Sequence, residues 1–158
     1  MEPTTTPESR NIFIQVNTDA IIGIFESGGI EAVTPFAVRE NTIIYDQGSM
    51  ALGNPILNFN IGVEARQDIH FTILPLQLFS FDKLYFTEFK VEEKKGIDIT
   101  TCNYERVISF SINTGDAVEH DGYVVFTLKG IIEYKRKGVT TSIEIDIDPV
   151  LRVIQRAH

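Results

Sequence analysis

Asp116, Glu119, His120 and Asp121 crowd one polar stretch, Asn113–Asp121 (NTGDAVEHD). Carboxylates at that density suit a hard cation or a polar ligand. Calcium takes roughly six to eight oxygens, and a loop with three carboxylates supplies about half of them. The spacing matches no EF-hand loop, because the required glycine is misplaced. These four residues are therefore candidates for ligand binding, and no metal is assigned to them.

A second acidic set lies on the run SIEIDID (Ser142–Asp148), where Glu144, Asp146 and Asp148 alternate with Ile143, Ile145 and Ile147. On a strand those carboxylates stand on one face, ~7 Å apart at each step. A calcium or acid/base site is the pointed reading. A solvated outer face whose charge discourages edge pairing is the plainer one, and it needs nothing further. His70, His120 and His158 are scattered, and Cys102 lies near none of them in sequence. Zinc needs three or four converging ligands. Neither a nucleophile elbow nor a glycine-rich phosphate loop occurs. No catalytic residue and no cofactor is assigned, and an enzyme is not expected.

The element that presents the second acidic set is a long hairpin, Gly122–Asp148. Val124, Phe126, Leu128, Ile132 and Tyr134 share one face of its first strand. Lys135-Arg136-Lys137-Gly138 supplies the connection, and Pro149 ends the ladder. Earlier segments read the same way. Ile12–Val16 alternates, Asn17 caps a short helix over Ala20–Phe25, and Gly28-Gly29 ends it. Glu31–Arg39 reads as an edge strand interrupted by Pro35. Asp46–Pro55 reads as a loop. Ile56–Val63 and Asp68–Leu74 read as a hairpin around Glu64–Gln67. Phe81–Val91 reads as a strand with a bulge between Phe86 and Phe89, closed by a charged turn at Glu92–Gly96. Arg106–Ile112 is a further strand.

These readings add up to an all-β fold: an antiparallel β-sandwich of two packed sheets, about nine to ten strands, with at most one short helix. The expected core is Leu57, Phe59, Ile61, Ile69, Phe71, Ile73, Ile108, Phe110, Ile112, Phe126, Leu128, Ile143, Ile145 and Ile147. Residues 1–10 are expected to form a disordered tail, and 11–158 a single domain. A net charge of −8 disfavours nucleic acid and anionic membranes as partners. A lone cysteine suits a reducing cytoplasm, and no apolar run approaches a membrane span. The expected partner is a further copy of the chain.

The order of segments resembles the bacterial AidA/PixA family of inclusion-body and autoinducer-induced proteins. The resemblance rests on IFIQVNTDAII (Ile12–Ile22), LNFNIGVEARQDIHFTI (Leu57–Ile73) and DPVLRV (Asp148–Val153). It departs from that pattern in having no Trp and only two Met. The resemblance implies a β-sandwich in the bacterial cytoplasm, and it carries over no catalytic residues. Together these readings lead to a non-enzymatic binding or self-associating module. The alternative is a lectin-like or calcium-assisted sandwich that binds a small ligand through Asp116, Glu119, Asp121 and the loop Asp46–Asn54.

Overall fold

Ile12, Ile14 and Val16 are fully buried on strand β1 (Arg10–Val16), as their alternation requires. The structure, a computed structural model, describes residues 9–47, 51–53, 60–77, 80–101, 106–147 and 152–155. Leu57, Phe59, Cys102, Asp148, Pro149 and His158 lie outside them. After β1 the Asn17 side chain accepts the Ala20 N–H at 3.2 Å and starts helix α1 (Thr18–Gly28). Ile21 and Ile22 bury its inner face, and the Gly29 N–H closes on the Phe25 carbonyl at 2.7 Å.

Glu31–Arg39 is not a strand. A short 3₁₀ turn at Ile30–Ala32 leads into helix α2 (Pro35–Glu40). Thr34 accepts the Ala37 N–H at 3.1 Å and Pro35 occupies the first turn. A proline lacking its N–H is tolerated there, because that donor would have no helical partner anyway. The described residues thus form two α-helices where at most one short helix was expected.

The remaining strands are β2 (Thr42–Asp46), β3 (Ala51–Gly53), β4 (Asn60–Val63), β5 (Asp68–Pro75), β6 (Lys83–Thr101), β7 (Ser109–Arg136), β8 (Val139–Asp146) and β9 (Arg152–Gln155). The stretch expected as a loop at Asp46–Pro55 thus contains β3. The expected two-sheet antiparallel sandwich does not form. The described strands make one mixed sheet in the order β3-β2-β1-β5-β7-β9-β4, with β6 and β8 attached through β7, curled into a half-barrel. β1 with β5 and β4 with β9 are parallel.

The length of β7 explains the single sheet. β6 occupies one of its edges from Ile112 to Glu133. A strand has two edges, so β5, β9 and β8 share the other in succession. Twenty-eight extended residues would reach about 90 Å. Instead β7 turns back on itself: Phe110 and Phe126 both touch Phe71, at ring-centroid distances of 5.2 and 5.7 Å. Glu92–Gly96, expected as a turn, and Asn113–Asp121, expected as a loop, are carried within β6 and β7 as irregular pairing. The register shifts between Lys95 and Ile97 and again between Ile97 and Ile99. The bulge expected between Phe86 and Phe89 is present.

Of the strand expected at Ile56–Val63, the first four residues lie outside the described ones, and Asn60–Val63 does not pair with Asp68–Leu74 as a hairpin. Gln67 donates its N–H to Thr114 Oγ1 at 2.8 Å and accepts the Thr114 N–H at 3.0 Å. That lock leads β5 onto β7 and away from β4, which pairs with β9. Eleven of the expected core residues are buried: Ile61, Ile69, Phe71, Ile73, Phe110, Ile112, Phe126, Leu128, Ile143, Ile145 and Ile147. Ile108 is 57% exposed. It precedes β7, where the backbone at Val107 is bridged to Phe86 and the alternation has not begun.

Candidate functional site

Two regions concentrate polar groups: the corner where β6 and β7 turn, and the far end of the β7–β8 hairpin. At the corner, Gly122 lies under Gly96. A Cβ on Gly122 would meet Ile97 Cγ1 at 2.6 Å and the Gly96 carbonyl oxygen at 2.9 Å. Gly122→Ala should therefore force the corner apart, destabilising the fold by about 1–3 kcal/mol in urea titration. An unchanged midpoint would show that β6 and β7 are less closely apposed there.

The corner carries all four residues singled out by their spacing. Asp116, Glu119, His120 and Asp121 are exposed on it. Asp116 pairs with Arg66 at 3.5 Å, and both side chains are solvated, so the pair contributes little. The Glu119 side chain packs beside Gly96. Among the described residues, no three His, Cys, Asp or Glu side chains converge to hold a metal ion. His70 forms a hydrogen bond with Ser111 across the β5–β7 ladder and takes no part in the corner. Asp46, at the start of the loop assigned to the same ligand, is buried against Arg10 instead.

The hairpin end was not singled out from the sequence as a site. Arg136 and Val139 close it as ladder partners around a two-residue turn, with Lys137 at φ 50° and Gly138 at φ 78°. Positive φ at both central residues is the turn geometry that matches strand twist. A solvent-open groove of about 380 Å³ runs beside it, lined by Phe81, Lys83, Glu133, Tyr134, Lys135 and Thr140. Glu133 pairs with Arg106 at 3.5 Å, and Arg136 lies over the Tyr134 ring and reaches Glu26 of α1 at 3.0 Å. Cations thus gather at the turn of an otherwise acidic chain. The signal was present in YKRKG but read only as a connection.

The opposite end of the same hairpin is acidic. Asp146 and Lys129 are ladder partners, at 3.9 Å, and Lys129 also reaches Glu88 at 3.6 Å. These form a charge row across three strands. Glu144 stands exposed opposite Ile131. Among the described residues β8 pairs with no strand but β7, and helix α2 lies close to it.

No family model matches the chain, and no curated protein does. Among solved structures, the inclusion body protein PixA from Burkholderia cenocepacia J2315 matches 99% of this chain with 99% of its own, at a TM-score of 0.58 and 8% identity. The fold is that of PixA. The resemblance drawn from segment order therefore holds at the level of architecture over the full length. Fet3p, a multicopper oxidase that functions in iron import, matches with 30% of its own chain at 12% identity and a TM-score of 0.33, which carries no argument. Among the described residues no helix is long and apolar enough to cross a membrane.

Proposed function

We propose that the chain is a non-enzymatic, self-associating structural module of the bacterial cytoplasm, which joins copies through the open edge of β8. The observation that carries this is that, among the described residues, β8 pairs with β7 on one side and with no strand on the other. Val139, Thr140, Ser142 and Glu144 are exposed along it, and unpaired N–H and C=O groups on an edge template a further strand. The PixA architecture supports the reading, since the Burkholderia structure that shares it is of an inclusion body protein.

The ladder tells which backbone groups are available. The Ile147 N–H bonds the Leu128 carbonyl, its directly opposite residue, at 2.9 Å. Antiparallel pairs alternate between bonded and non-bonded, so residues 141, 143 and 145 face β7. Thr140, Ser142, Glu144 and Asp146 then point their N–H and C=O groups outward. Ser142→Pro removes one outward N–H and no bond to β7. It is expected to weaken self-association at least tenfold in sedimentation velocity at pH 7, the loss of a few hydrogen bonds at an interface. Self-association unchanged by Ser142→Pro in a variant of native melting temperature would remove β8 as the joining edge.

A further inference from the structure

We infer that the partner on β8 is the β8 of a second copy, laid antiparallel about a two-fold axis through Ser142, with each Glu144 facing the basic turn of the other chain. This rests on the proposed edge-to-edge association and specifies its geometry. The argument is charge complementarity along one hairpin. Its turn end carries Lys135, Arg136 and Lys137, and its other end carries Glu144 and Asp146. Antiparallel pairing sets the basic end of each copy against the acidic end of the other.

The register follows from the outward groups. Residues that bond across an edge lie opposite one another and share a face. A two-fold axis at Ser142 pairs Ser142 with its own copy and Glu144 with Thr140 of the second chain. Thr140 is the ladder partner of Lys135. Glu144 therefore lies two strands, about 10 Å, from that lysine's backbone, with only a threonine between. The long lysine stem crosses this gap. Moving the axis to Ile143 would set Glu144 against Ser142 of the other copy, whose ladder partner is Glu133. Moving it to Glu144 would set two glutamates face to face. Only the Ser142 register of these three keeps each Glu144 away from like charge and beside a cation.

The sign of the charge effect is thereby reversed relative to a simple defence of the edge. Asp146 is already partnered by Lys129, so it adds little repulsion. Glu144 becomes an attractive group once a second copy arrives antiparallel. Isologous contacts occur twice per dimer, so each substitution acts twice.

The test is a charge exchange read by sedimentation velocity at pH 7 and low salt. Glu144→Lys and Lys135→Glu, both at exposed positions, are each expected to weaken association about tenfold, as expected for two surface pairs turned from attraction to repulsion. The double variant Lys135→Glu with Glu144→Lys should restore it, because both contacts are attractive again. Glu144→Gln should weaken association mildly. Equal or stronger association of Glu144→Gln, or no rescue in the double variant, would overturn the antiparallel register. In that case loss of association in Ser142→Pro would leave the β8 edge itself standing. A chain that stays monomeric throughout the accessible concentration range would overturn both.

Discussion

Phe126→Ala is expected to cost about 3–5 kcal/mol of stability, read from urea denaturation. Phe126 is 1% exposed and sits at the meeting of the two limbs of β7. Its ring meets Phe71 edge-on at 5.7 Å and Phe89 of β6 at 4.9 Å. Phe71 in turn stacks on Phe110 at 5.2 Å, and Phe110 meets Phe86 at 4.9 Å. Removing the ring opens a cavity between strands that already hydrogen-bond elsewhere, so the site has little freedom to collapse. Beyond the lost burial, aromatic pairs of this geometry contribute about 0.5–1.5 kcal/mol each. A loss below about 1 kcal/mol, outside the range for buried aromatics, would mean that the concave face does not close on itself as described.

That cluster marks the border of what could be read from the sequence. Alternation placed Phe71, Phe110 and Phe126 on buried faces, because period two is a local property of a strand. It did not show that Phe110 and Phe126 belong to one strand. NTGDAVEHD is polar and carries a glycine, which reads as an interruption, yet the backbone continues its pairing through irregular register. Once β6 and β7 run through both halves, two sheets become one. Pairing partners were equally invisible. Nothing local to LNFNIGVEARQDIHFTI shows that Gln67 will bond Thr114, forty-seven residues on, and so divert β5. The Thr34-Pro35 start of α2 was legible and was misread as a broken strand, since proline breaks a strand and begins a helix equally well. At the hairpin the reverse holds: turn, faces and both charged ends were legible, because all of them are local. The groove beside it needed Lys83 of β6 and Phe81 just before that strand.

Asp46→Ala is expected to cost a further about 3–5 kcal/mol when measured alone, and its cause is electrostatic. Arg10 opens β1 and was expected in the tail. Instead its guanidinium meets the Asp46 carboxylate at 3.3 Å, with side chains 7% and 1% exposed. Neither charge reaches enough water to stand alone, and Arg10 Nε already has no hydrogen-bond partner among the described residues. Deleting the aspartate leaves a buried cation that cannot lose its proton, since arginine stays charged at all working pH. The pair also holds the first residue of β1 to the last of β2, and β1 is in register with β2 on one side and β5 on the other. Loss of the pair should therefore loosen the start of β1, seen as faster amide exchange at Ile12 and Ile69. Replacing both partners, Arg10→Met with Asp46→Leu, should recover most of the stability, because a buried ion pair is seldom better than apolar groups of similar volume. The double variant separates the two possible causes. Recovery assigns the cost to an unpaired charge, whereas a double variant as unstable as Asp46→Ala would assign it to the hydrogen bonds that the carboxylate makes to its surroundings.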